Sequence, residues 1–200
     1  YFLKYKEDSL NFKDMASARN TAIIVVAGSI AKMYLKKLAI EINAEVETIG
    51  GYSYKDNKKE VEELLNNVSQ EGDSVGGKIK CIVKNMQKGI GEPIFDKLSA
   101  CLAKNIFSLP SVCSFELGDG IERTKRMGSE DMDIWNEDFT TKTNHTGGIN
   151  AGISNGMDVI FHVGLHPIYT IEKPMKMIDS CGKIIEKKIG GRHDKCQVFR

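Results

Sequence analysis

Three segments in which apolar and polar residues alternate one for one constrain this 200-residue chain most. In Asp158 to Leu165, Val159, Phe161 and Val163 fall on one face. Lys78 to Met86 repeats the pattern with Ile79, Cys81 and Val83, and Ala39 to Ile49 repeats it with Ile40, Ile42, Ala44, Val46 and Thr48. A period of two is the mark of a half-buried strand. A parallel sheet covered on both faces reads instead as unbroken apolar runs, so the alternation predicts antiparallel sheets with one packed face. Val112 to Leu117 adds a short strand, and Lys183 to Ile189 is expected to be the last one.

Helical periodicity fills the intervals. Ala18 to Leu38 carries Ala22 to Ala31 and then Met33, Tyr34 and Leu35, apolar on most faces, which predicts a buried helix with Ser17 as its N-cap. Asn57 to Gln70 is amphipathic, with Val61, Leu64, Leu65 and Val68 on one side. Ile94 to Phe107 turns Phe95, Leu98, Leu102 and Ile106 inward, and Ile121 to Met127 reads as a helical turn. Gly72 to Gly77 is a turn, Gly89 to Pro93 a loop, and Gly128 to Ser154 a polar loop whose length implies function or disorder. The order is helix, strand, helix, strand, helix, strand, then a loop-rich strand region. It predicts one mixed α/β domain over residues 1–200, of the α+β kind in its antiparallel sheets.

Composition excludes several classes. A net charge of +1 offers no bulk attraction to nucleic acid or to a membrane surface. Five cysteines, an odd number at irregular spacing, argue against a secreted disulfide scaffold and for a reducing cytoplasm. No apolar run reaches the ~18 residues of a membrane span. No dinucleotide fingerprint or phosphate loop of the nucleotide-hydrolase type is present. The chain opens at Tyr1 without a methionine and closes just beyond its most reactive-looking motif, so it is expected to be an internal portion of a longer protein.

That motif is Gly191-Arg192-His193-Asp194-Lys195-Cys196, a fixed cation, an imidazole, a carboxylate and a thiol behind a double glycine. Glycine admits close backbone approach, and Arg presents a planar fork to phosphate or carboxylate. His193 and Cys196 lack a second Cys/His pair at matching spacing, so an anion or flavin site fits better than zinc. Ser17-Ala18-Arg19 opens the long helix, where N–H groups and a partial positive charge hold an anion, or where Ser17 simply caps the helix beside an exposed Arg19. The glycines of Thr140 to Gly156 suit either a phosphate or ring cradle or an ordinary linker. His162, mid-strand and opposite Phe161 and Val163, reads as a structural or surface histidine, and His166-Pro167 ends the same strand.

These segments, in their order, resemble chorismate synthase. Ser17-Ala18-Arg19-Asn20-Thr21, Glu71 to Gly77, Gly89 to Leu98, Phe115 to Gly118, Arg126 to Glu130, Thr146 to Gly156 and Gly191 to Cys196 carry the resemblance across nearly the whole chain. It implies a β-α-β sandwich subunit, assembled as a homotetramer, in the shikimate pathway. It also implies conversion of 5-enolpyruvylshikimate 3-phosphate to chorismate by an anti-1,4 loss of phosphate and hydrogen. Reduced FMN is required without net redox change, with NADPH as the flavin's reductant in some members and a separate supply in others. By resemblance Asp194 occupies the catalytic aspartate and works near the flavin N5, while Arg192 holds flavin or substrate anions. Ser17 lies in a flavin-contacting segment, Arg19 meets the substrate's anionic groups, and Ala151 passes close to the flavin. Ser111, in the flavin segment, and His166, Pro167 and Thr170, at the strand end, line the cofactor.

The chain also departs from the family pattern. Phe12 to Ala16 stands where the family has a glycine run and an Arg, Asn20 where it has Glu, Pro110-Ser111 where it has Asn-Ala, His166 where it has Lys, and Lys195 where it has Pro. The family's two acid histidines are expected outside these 200 residues, so this portion is not expected to complete catalysis alone. The departures keep a second reading open: a homologue that retains the fold but serves as a binding or assembly subunit.

Overall fold

The computed structural model describes Lys4 and residues 20–179, 181–191 and 193–199. Helix α1 (Thr21–Lys37) leads into strand β1 (Glu41–Ile49), a short β2 (Tyr52–Ser53), helix α2 (Lys58–Gln70), β3 (Gly77–Lys84), α3 (Leu98–Ile106) and β4 (Val112–Leu117). A 3-10 segment (Gly120–Lys125), a one-turn helix α4 (Gly128–Asp131) and the β5–β6 hairpin (Ile149–Asn150, Ile153–Ser154) precede β7 (Val159–Leu165). The β8–β9 hairpin (Met175–Ile178, Ile184–Lys187) and a 3-10 turn (Gln197–Phe199) follow. The main sheet has the order β2-β1-β3-β7-β4, every neighbour antiparallel, as the alternation predicts.

One face of this sheet is apolar and one polar. Val159, Phe161 and Val163 stand opposite Val83, Cys81 and Ile79; all but Ile79, which packs on the second cluster, form a core with Ile40 and Ile149 onto which α3 lays Leu98, Leu102 and Ile106. On the other face His162 accepts no apolar neighbour role: its Nδ1 lies 2.7 Å from Glu47 Oε2, while Lys78 Nζ donates to Glu116 Oε2 at 2.8 Å. A second apolar cluster, Ile49, Val61, Cys196 and Val198, fastens α2 and the C-terminal turn to the sheet.

Several expectations are corrected. A β-bulge between Val46 and Thr48 shifts the phase of β1 by one residue. Thr48 therefore pairs with Lys78 on the polar side and Ile49 becomes fully buried. Helix α1 is not buried: Ile23 is 77% and Met33 71% exposed, and of its side chains Leu35 is the one packed on the main core. Its described N-cap is Asn20, and Ser17 lies outside the described residues. The helix stops because Ile40 N–H bonds Leu35 O and Ala39 N–H bonds Lys36 O, with Ala39 in the left-handed region at φ 60°. α3 starts at Leu98 rather than Ile94, since Ile94 to Lys97 forms a turn and Gly152 O takes the Leu98 N–H at 2.7 Å. That leaves Phe95 92% exposed instead of inward. Periodicity also missed β8, the partner of β9.

Candidate functional site

The turn after α2, Glu71 to Gly77, gathers chain segments from far along the sequence. Ser74 Oγ donates to Ile168 O at 2.6 Å, and Glu172 N–H donates to Gly72 O at 2.9 Å. Lys173 Nζ bridges Asp73 Oδ2 at 2.7 Å and Glu71 Oε2 at 2.9 Å. The hydrogen bond from Lys173, then that from the Ser74 N–H, hold the Asp73 carboxyl below its usual range. Val75 N–H donates to Lys195 O at 2.9 Å, and Val75 forms a parallel bridge with Cys196. Gly76 is required by close approach rather than by backbone angle. A Cβ there would stand 2.5 Å from Leu165 O and 3.2 Å from Pro167 Cδ.

The sequence-predicted residues distribute around this turn as follows. Asp194, half-buried, lines a cleft of about 540 Å³ together with Lys195, Cys196 and Phe199 on one wall and Glu62, Leu65 and Asn66 of α2 on the other. Cys196 itself is buried, and burial pushes its thiol up, away from the thiolate a metal needs. His193 Nε2–H donates to Ile189 O at 2.9 Å. His166 N–H donates to Ser111 O at 2.9 Å, with Ser111 at φ 67°, so these two residues and Pro167 form one contiguous patch against Gly76. Thr170 is exposed between Ile168 and Glu172. Ala151 is at the exposed tip of the β5–β6 hairpin, φ 53°, beside the start of α3 rather than in that patch. Ser17, Arg19 and Arg192 lie outside the described residues. Sequence reasoning assigned no role to Ser74, Asp73 or Lys173. The Gly72 to Gly77 run was the available signal, since paired glycines mark places where other backbone must come close.

A second polar assembly occupies the long loop, which is ordered rather than a linker. Asp133, 5% exposed, accepts from Thr143 Oγ1 at 2.6 Å, His145 N–H at 2.8 Å, Thr146 N–H at 2.9 Å and Thr146 Oγ1 at 2.8 Å. Burial pushes its carboxyl upward, but these donors outweigh it and hold the pKa down at about 2. Arg123 forks onto Asp131 (Nη2–Oδ2 2.6 Å), and Asp119 Oδ2 lies 2.6 Å from both Arg126 Nη1 and His145 Nδ1. Gly147 sits at φ +65°, and a Cβ there would fall 2.5 Å from Ile160 O. Gly147→Ala is expected to cost about 2 kcal/mol, the sum of the left-handed penalty and local overpacking, readable by urea unfolding.

Antiparallel strands under packed helices, and a glycine turn drawing distant segments into one patch, define an α+β domain of the kind seen in a solved crystal structure of chorismate synthase. The two match with a TM-score of 0.77 at 26% sequence identity, over 84% of this chain and 62% of that one. The chorismate synthase of Christiangramia forsetii is 42% identical over 206 residues, covering 92% of this chain and 58% of the relative. That of Flavobacterium psychrophilum is 38% identical over 221 residues, covering 100% of this chain and 62% of the relative. The family model described as chorismate synthase matches residues 1–200. The chain belongs to the chorismate synthase family and spans about three fifths of the length of these curated relatives.

Proposed function

We propose that the intact protein converts 5-enolpyruvylshikimate 3-phosphate to chorismate and phosphate in the shikimate pathway, with reduced FMN as cofactor. The observation that carries this reading is the convergence of the strand-end patch (Ser111, His166, Pro167) and the terminal motif (Asp194 to Cys196) on the turn Glu71 to Gly77. Family membership makes these the segments expected to meet cofactor and substrate.

An apolar cavity of about 340 Å³ between α1 and the sheet is lined by Ile24, Val25, Cys81, Phe161 and Val163, with Pro110, Val112 and Leu165 at its edge; Ser111, His166 and Pro167 do not line it, since neighbours along an extended strand project to opposite faces. The fit to a flavin rests instead on the polar and backbone groups of the patch against Gly76. When bound, reduced FMN supplies an electron-rich ring that assists loss of phosphate and hydrogen without net oxidation. Ser111, His166, Pro167 and Thr170 would hold that ring, with Ser17 expected to join them from the segment before α1; Ala151, on its hairpin beside α3, is not among them within this chain. Asp194 would help the flavin take up the substrate proton. A carboxylate suits this role because it can accept and return a proton within hydrogen-bond reach. Arg19 and Arg192 would hold the anionic groups of substrate and cofactor, the task for which a fixed, forked cation is best adapted. Assembly as a homotetramer, a cytoplasmic location and flavin reduction by NADPH belong to the same proposal. Among the described residues no helix is long and apolar enough to cross a membrane.

The test is anaerobic titration of the intact protein with FMN, with and without 5-enolpyruvylshikimate 3-phosphate, followed by an assay for chorismate. Flavin binding, a substrate-dependent change in flavin absorbance and chorismate release are expected. A protein that binds no FMN at saturating flavin and releases no chorismate would overturn the reading and leave the binding or assembly subunit in its place.

A further inference from the structure

We propose that the outer edge of β8 pairs with the same edge of a second copy of this chain, joining two hairpins into one four-stranded sheet across a two-fold axis, which rests on the homotetramer of the reading above. The β8–β9 hairpin stands apart from the main sheet, and among the described residues neither of its strands has a further strand partner. Ile178 and Ile184, opposite each other on one face, are each 71% exposed, and Met177 and Ile185 make a second apolar pair on the other face. A lone two-stranded ribbon is marginally stable in water, and its open edges are templates for another strand.

The ladder fixes which groups that edge offers. Asp179 N–H donates to Lys183 O at 3.0 Å, so this facing pair is a backbone-bonded one. Bonded and non-bonded pairs alternate along an antiparallel ladder. Met177 therefore turns its N–H and C=O toward Ile185, while Lys176 and Ile178 turn theirs outward. Antiparallel pairing of two β8 strands about Met177 sets Lys176 against Ile178 of the second copy. Both carry outward groups, so each of these symmetry-related pairs exchanges backbone hydrogen bonds. Met177 meets its own counterpart, and with Ile185 from each copy it makes one apolar row across the sheet. Charge selects the same register, because like charges directly opposite are destabilising. Lys176 stays opposite Glu186 within each hairpin and faces an apolar residue across the axis. Pairing about Lys176 would oppose two ammonium groups. On the β9 edge, pairing about Ile185 would oppose Lys183 and Lys187, and pairing about Glu186 or Lys187 would oppose each to itself. β9 is thus the guarded edge and β8 the receptive one.

The experiment is light scattering after gel filtration of the intact protein at micromolar concentration, unsubstituted and as Ile178→Pro and Met177→Lys. Ile178→Pro removes an outward N–H but no bond to β9, and Met177→Lys sets two cations on the axis. Each should lower the assembled mass by about half, as loss of one two-fold interface from a tetramer requires. Mild oxidation of Met177→Cys gives an independent reading. A facing non-bonded pair has Cα atoms about 4.5 Å apart, within disulfide range, so the two introduced thiols should cross-link the copies. Lys176→Cys, whose thiols would stand diagonally about 7–8 Å apart, should not exceed the unsubstituted protein, whose exposed Cys113 and Cys181 set the baseline. Unchanged mass in both variants, or no cross-link in Met177→Cys, overturns the β8 pairing and leaves the assembly reading intact. An unsubstituted protein that is monomeric overturns the assembly reading and the pairing with it.

Discussion

Replacing Asp133 with alanine is expected to lower the stability of the domain by about 4 kcal/mol, the largest loss from any single polar side chain described above. Four donors converge on this buried carboxylate, two of them backbone N–H groups of His145 and Thr146. Removing it leaves those donors inside the fold without an acceptor. For a domain of this size such a loss lowers Tm by about 10 °C. Amide exchange at His145 and Thr146 should accelerate first, because their N–H groups lose their partner directly. The effect also has a pH signature. The carboxyl titrates at about 2 in the fold against an ordinary 3.8, so its contribution is complete above the unfolded value. It is lost as pH falls from about 4 to 2, and it is worth about 2 kcal/mol. The alanine variant should show a shallower decline than the unsubstituted protein over that interval. An alanine variant that melts within a degree or two of it would refute the assignment.

Asp194→Asn in the intact protein is expected to lower the rate of chorismate formation by about 10²–10⁴-fold, the range a positioned acid–base group contributes. The substitution keeps shape and removes the ability to accept a proton. The backbone around it is held independently, by Val75 N–H on Lys195 O and by burial of Cys196 and Val198 in the second core. Folding and FMN affinity should therefore remain close to those of the unsubstituted protein. Turnover within about threefold of it would remove Asp194 from the chemistry.

Much of this architecture was legible because its signals are local. Val159, Phe161 and Val163 declare a one-sided strand by spacing alone, and Val61, Leu64 and Leu65 declare the buried side of α2. The bulge at Val46 to Thr48 was not legible. An extra residue in a strand leaves no compositional trace, yet it exchanges the faces of Thr48 and Ile49. Phe95 was misplaced for a related reason. Helical spacing continued back to Ile94, but the acceptor that ends the helix is the carbonyl of Gly152, over fifty positions away. Helix α1 shows the limit of composition: its apolar residues predict burial, while the described residues leave most of that surface exposed. Asp194 and His166 were nameable as candidates from motif resemblance. The roles of Ser74 and Lys173 emerge only once the strands are paired, since each acts through a partner about a hundred residues distant.

That distance shapes how the protein comes into being. Ser74 waits 94 residues for Ile168, and Asp73 waits 100 for Lys173. During synthesis the α2 turn emerges long before the strand end and terminal motif that complete it. Closing so long a loop is entropically slow, and contacts of this kind form late in folding. A ribosome paused after β4 would thus present β4 without its partner β7 and neither the main core nor the completed turn, and both would form only when the last segments arrive.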